Sequence, residues 1–148
     1  MLVPTRILVP TDFSEFSGKA LRQALDIADE YQAKVFLLHV VHEVMDFTGL
    51  DFINSEDMVR DFKGNEVVWA ERSLKKQLES FPQTNDVEVE TIVRRGVPYI
   101  EILKVGEEER IDLIVIASLG KSGIARYLIG SVARNVLKGS KCPVLLTK

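Results

Sequence analysis

Four short apolar runs alternate along this chain with segments of helical period, and that alternation constrains the fold more than any other feature. The runs are Ile7-Leu8-Val9-Pro10, Lys34 to Val41, Asp112 to Ala117 and Pro143 to Thr147. Continuous apolar runs of this length suit strands buried on both faces of a parallel sheet. Between the first two, Ala20, Leu21, Ala24, Leu25, Ala28 and Tyr31 recur at helical spacing, with Lys19, Arg22, Gln23, Asp26 and Glu30 between them. Ser14 stands where the N-cap of that helix belongs. Strand, helix and strand make a crossover unit, right-handed in about 98% of cases.

The same grammar continues. Residues 42 to 54 carry no clear period and read as a loop. From about Ser55 to Ser80 an amphipathic helix is expected, with Val59, Phe62, Trp69, Ala70, Leu74 and Leu78 on its inner face. Gly64, inside it, marks a candidate kink. Pro82 and Asn85 end it. Val87, Val89, Thr91 and Val93 then alternate with Glu88, Glu90, Ile92 and Arg94, the pattern of a half-exposed edge strand. Gly96 makes a turn, Pro98 opens a helix running from Tyr99 to Glu109, and Ser131 to Lys138 form the last helix, with Gly139 as its stop. Five strands and four helices in strict alternation predict an α/β fold: a doubly wound parallel sheet of order 3-2-1-4-5, as one domain over residues 1–148.

Composition bounds the function classes. The 148 residues are 46% apolar and 28% charged, so collagen-like and wholly disordered chains are excluded. A net charge of −3 advertises no nucleic-acid surface. One cysteine, Cys142, permits neither an intrachain disulfide nor a thiolate zinc cage. The opening apolar stretch meets Asp12 too soon for a signal-peptide core, and no window approaches a membrane span, so a cytoplasmic protein without membrane or nucleic-acid partners is expected.

In open sheets of this class, ligands bind beyond the carboxyl ends of the strands, where strand order reverses. The ends to read are Pro10 to Asp12, His39 to Val41, and Ala117 onward. Gly120-Lys121-Ser122 resembles the close of a phosphate-binding P-loop, but the first glycine of that motif falls on Val115; the dinucleotide fingerprint fails at Ser118. What survives is physical. Gly120 and Gly123 allow close backbone approach, and Gly130-Ser131 precede a helix whose free N–H groups attract anions. Ser131 either caps that helix or offers its hydroxyl to a phosphate. His39 and His42 do not share a strand face, which argues against a metal pair. Cys142 reads as a small packed hydrophobe, Glu107 to Arg110 as a solvated helix end, and Lys121 and Arg126 as surface charges within reach of a phosphate. No nucleophile, base and orienter can be assembled, so efficient catalysis is not expected. A phosphoacceptor receiver domain wants an acidic cluster, and only Asp12 ends a central strand.

The spacing of the last loop resembles the nucleotide-binding signature of the universal stress protein family: glycine, two residues, glycine, nine residues, glycine, then serine or threonine. Gly120, Gly130 and Ser131 fit; Ala117 stands at the first glycine. Ile7 to Asp12 with Ser14, Leu37 to Val41, Asp112 to Ile116 and Pro143 to Leu146 are similar to the family's strands. The resemblance implies a Rossmann-like fold of the adenine nucleotide alpha hydrolase type, and an ATP-binding stress-response regulator. Asp12 would face the adenine or ribose end beside Pro10 and Thr11, and the Val40 backbone would line the adenine. Ile116, Ala117 and Gly120 would border ribose and phosphates, while Gly130, Ser131, Val132 and Ala133 would cradle the phosphates. Mg2+ or Mn2+ would ride on those phosphates with few protein ligands. The family also implies a homodimer, and the apolar run Val144-Leu145-Leu146 on an edge strand supports pairing with its twin. A dimeric interaction module that binds no nucleotide is the competing reading, favoured by Ala117.

Overall fold

Each short apolar run forms a parallel strand, and each segment of helical period forms the helix that crosses to the next. The computed structural model describes residues 1–43, 56–120 and 128–148, with residues 56–62 described by backbone alone. The elements are β1 (Arg6–Pro10), α1 (Glu15–Tyr31), β2 (Lys34–His42), α2 (Glu56–Glu79), a 3-10 turn (Pro82–Asn85), β3 (Val89–Gly96), α3 (Pro98–Glu108), β4 (Leu113–Ala117), α4 (Ser131–Gly139) and β5 (Val144–Thr147). The sheet order is β3-β2-β1-β4-β5, every pairing is parallel, and the doubly wound prediction holds.

The unbroken apolar runs are two period-2 patterns interleaved. Ile7, Val9, Val35, Leu37, Leu113 and Val115 pack on one face with α1 and Leu74 of α2. Leu8, Phe36, Leu38, Ile114 and Ile116 pack on the other with Ile102 and Val105 of α3 and with Ala133 and Val136 of α4. β3 is half-buried at one edge, as its alternation predicts. Beside it Lys34 Nζ meets Glu88 at 2.9 Å and Glu90 at 2.8 Å, and these carboxylates, Glu90 foremost, hold the ammonium above its ordinary pKa.

The expected N-cap of α1 is present: Ser17 N donates to Ser14 Oγ at 3.2 Å. Three expectations need correction. α2 runs unbroken through Gly64, where a Cβ would meet nothing within 4 Å, so its cost is only local backbone freedom. Trp69 is 56% exposed: Ala70 and Leu74 make the core stripe, and Trp69 sits one position round, against Phe13 and His39. Gly139 is helical and does not stop α4; the chain leaves at Ser140, whose hydroxyl accepts from Cys142 N at 3.2 Å just before Pro143. Of the loop expected over 42–54, His42 is instead the last residue of β2, and residues 44–54 lie outside the described residues, as do the side chains of Val59 and Phe62.

One proline shapes the centre of the sheet. Successive residues of a strand turn their backbone groups to opposite neighbours. Thr11 N donates to Leu38 O of β2, whereas Arg6 O accepts from Asp112 N on the β4 side. Pro10, an even number of residues from Arg6, therefore faces β4, and it has no N–H to donate. Pairing of β1 with β4 covers only Ile7 and Leu8, while pairing with β2 continues to Pro10. The ladder opens at the carboxyl end.

Phe36 is the largest fully buried side chain, with the Arg6 guanidinium 4.7 Å and the Lys34 ammonium 5.1 Å from its ring centre. Phe36→Ala should cost about 3–5 kcal/mol in urea denaturation, and a loss under about 1 kcal/mol would contradict this packing.

Candidate functional site

Beyond the point where β1 and β4 part lies a cleft of about 230 Å3. It is lined by Pro10 at the end of β1 with Thr11 and Asp12 after it, and by Leu38, His39 and Val40 of β2. Ile116 and Ala117 of β4, Ser118 to Gly120 after it, Gly130 to Ala133 at the start of α4, and Pro98 and Ile102 of α3 complete the lining. The lining is mainly apolar with a few polar groups among it, which is the usual character of a small-molecule site.

The turn after β1 is built by side chains bonding to nearby backbone. Asp12 Oδ1 accepts from Ser14 N at 2.9 Å, and Thr11 Oγ1 accepts from Phe13 N at 3.1 Å. These bonds hold Phe13 at φ 65, a left-handed conformation uncommon for an aromatic residue. Thr11 and Ser17 are the buried polar residues among those described, and their hydroxyls are 3.0 Å apart. His39 Nδ1 donates to Thr11 O at 2.8 Å, which fixes the ring's tautomer and ties it to the turn. His42 is exposed. Among the described residues no three His, Cys, Asp or Glu side chains gather as a metal cage.

The opposite rim is pinned at both ends. Ser118 N donates to Thr147 O at 2.8 Å, and Gly130 N donates to Ser118 O at 2.7 Å, so the start and end of the loop are held together. Gly130 is the N-cap of α4 and no side chain caps the helix. Ser131 is thus the first helical residue rather than the cap; its hydroxyl is exposed beside N–H groups that have no intrahelical acceptor. Such a helix start favours anions. The two glycines differ in need. A Cβ on Gly120 would lie 2.8 Å from Asp12 Oδ2, so the carboxylate rests on this residue's bare backbone. A Cβ on Gly130 would lie 3.4 Å from Ser118 O at an ordinary φ of −57. Ala117 has no positive φ, and its methyl group is tolerated by the backbone.

The structure brings Pro10, Thr11, Asp12, Val40, Ile116, Ala117, Gly120, Gly130, Ser131, Val132 and Ala133 around the one cleft. Lys121, Gly123 and Arg126 lie outside the described residues. Sequence reasoning missed Ser17, Leu38, His39, Pro98, Ile102, Ser118 and Leu119 as lining residues. Two signals were available: Leu38 is the same-face neighbour of Val40 on β2, and Pro98 and Ile102 are one helical turn apart. Cys142 is half-buried against the α3 and α4 face, as a packed residue. No helix among the described residues is long and apolar enough to cross a membrane.

Fold and cleft together define a doubly wound α/β protein with a cleft at its switch point. The chain belongs to the universal stress protein family, whose model matches residues 4–148. A universal stress protein of Methanocaldococcus jannaschii is 37% identical over 143 residues, covering 97% of this chain and 81% of that protein. The structure of universal stress protein UspA from Lactobacillus plantarum aligns with a TM-score of 0.81 at 25% identity, covering 97% of each chain. A universal stress protein crystallised in complex with cAMP aligns with a TM-score of 0.69 at 24% identity, covering 99% of this chain and 98% of that one.

The glycine geometry yields a comparison that needs no ligand. Gly120→Ala should lower stability by about 1–3 kcal/mol in urea denaturation through the contact with Asp12. Gly130→Ala should be neutral or stabilising by about 0.4–1 kcal/mol, because the unfolded chain loses freedom and the site has room. The reverse order would contradict this geometry.

Proposed function

We propose that the cleft binds an adenine nucleotide, ATP in particular, and that the chain acts as a nucleotide-dependent regulatory protein with at most slow hydrolysis. The carrying observation is the uncapped start of α4 facing the Asp12 turn across an aliphatic slot. In this reading the slot between Pro10, Val40 and Ile116 takes the flat base, and Asp12 takes ribose hydroxyls or the base edge. Gly130, Ser131, Val132 and Ala133 receive the phosphates on backbone N–H groups and the Ser131 hydroxyl. The relative crystallised with cAMP supports the ligand class.

Asp12 is the sole carboxylate lining the cleft among the described residues. That donor set fits a divalent ion held chiefly by phosphates and water, as Mg2+ prefers, and does not fit a protein-built cage. Mg2+ or Mn2+ is accordingly proposed to enter with the nucleotide.

Calorimetry with ATP and Mg2+ tests the reading. Ser131→Ala should weaken binding roughly ten- to hundredfold, through loss of a hydrogen bond to a charged group worth about 1.5–3 kcal/mol. Gly130→Val should abolish binding by filling the phosphate cradle, since the backbone itself accepts a side chain there. Ala117→Gly should leave affinity equal or higher. No heat from either the parent or Ala117→Gly would end the nucleotide reading in favour of an interaction module.

Homodimerisation through β5 is the second part of the proposal. β5 lies at the sheet edge with Leu145 37% exposed, and Leu137 of α4 is 40% exposed. An open apolar edge invites pairing with a second copy. Sedimentation at micromolar concentration should give a dimer, with Leu145→Lys shifting it to monomer; a monomeric parent would refute the arrangement.

A further inference from the structure

α2 contributes no described residue to the cleft, yet it holds the turn that carries Asp12. Thr11 Oγ1 donates to Gln77 Oε1 at 3.0 Å, which ties the buried Thr11 hydroxyl to the last turns of α2. Higher on the same helix, the Trp69 ring meets the Phe13 ring edge-on at 5.4 Å between centroids. Phe13 in turn lies over the His39 ring at 4.4 Å, and His39 Nδ1 holds Thr11 O at 2.8 Å. A turn with its aromatic residue at φ 65 persists only when its surroundings over-determine it. Here α2 supplies two of those constraints, one polar and one aromatic.

We infer that Gln77 and Trp69 are positioning residues for the nucleotide site: by holding Thr11 and Phe13 they set where the Asp12 carboxylate stands, so occupancy of the cleft is felt on the exposed flank of α2. The inference rests on the nucleotide reading above. Its physical content is that an Asp12 carboxylate drawn toward a ligand gives up its bond to Ser14 N, which loosens the turn that Thr11 and Phe13 share. Asp12 is wedged between Ser14 N and the bare backbone of Gly120, so its adjustments pass into the turn. Phe13 touches Trp69, and Trp69 is 56% exposed. A path of direct contacts therefore joins the cleft to the surface of α2.

Trp69 is the single tryptophan of the chain, so its emission reports this contact without labelling. The intact protein is titrated with ATP and Mg2+ by calorimetry and by tryptophan emission in parallel. The emission should change and saturate with the calorimetric Kd. Gln77→Met removes the acceptor for Thr11 and leaves every cleft-lining group in place; it should weaken ATP binding three- to tenfold. Gln77→Glu keeps an acceptor oxygen at the same reach and should stay within twofold of the parent. Absence of binding by the parent would remove the nucleotide reading itself. With the parent binding, an unresponsive Trp69 emission overturns the inference, and so does a Gln77→Met affinity equal to the parent's. An equal loss in Gln77→Met and Gln77→Glu overturns it as well, since it would mark a packing effect and not the hydrogen bond.

Discussion

The site exists because β1 is paired on both sides and then ceases to be. At Ile7 and Leu8 it hydrogen-bonds to β2 and β4 alike; at Pro10 the group that should bond to β4 is missing. Helices leave the two strand ends in opposite directions, α1 to one face of the sheet and α4 to the other. The gap between them cannot be filled by either crossover. A cleft at this place is therefore a consequence of strand order, and Pro10 makes its mouth begin early.

What stands around that mouth is a set of polar devices, each satisfied close at hand. The Thr11 hydroxyl, though buried, has contacts from Phe13 N, Ser17 and Gln77. The Asp12 carboxylate bonds to the turn it begins. Each such bond contributes only about 0.5–1.5 kcal/mol net, but leaving the same group buried and unpaired would cost about 1–3 kcal/mol. This asymmetry makes the turn specific. On the other rim, the start of α4 lacks a side-chain cap, so the two rims differ in kind: one is internally satisfied and the other presents donors outward.

The chain's membership in the universal stress protein family agrees with this division, since the family-like glycine spacing falls on the donor-rich rim. Within that spacing the glycines are not equivalent. Gly120 is required by contact with Asp12, a residue more than a hundred positions earlier. Gly130 has room for a side chain, and Ala117 occupies an ordinary strand end. The two glycines thus differ in setting, one packed against a carboxylate and the other with room for a side chain.

Period and punctuation were enough to mark the strands, the helices and the doubly wound parallel sheet, whereas most residues expected at the switch point came from the resemblance to the universal stress protein family. The elements and their sheet follow from local burial patterns and from the handedness of crossovers, both written in neighbouring residues. Trp69 shows where local patterning stops: its helical position allowed an inward face, and only the packing of Ala70 and Leu74 turned it onto Phe13. The lining role of His39 was illegible for a similar reason, because its partner is the backbone carbonyl of Thr11 in the turn after β1. Gly139 reads as a helix stop, yet the hydroxyl of Ser140 ends the helix. The bare backbone of Gly120 has meaning only against Asp12. Sequence by itself determined which elements form and in what order they pair; tertiary structure decided which side chains from distant elements touch, because those contacts depend on distances that no local period encodes.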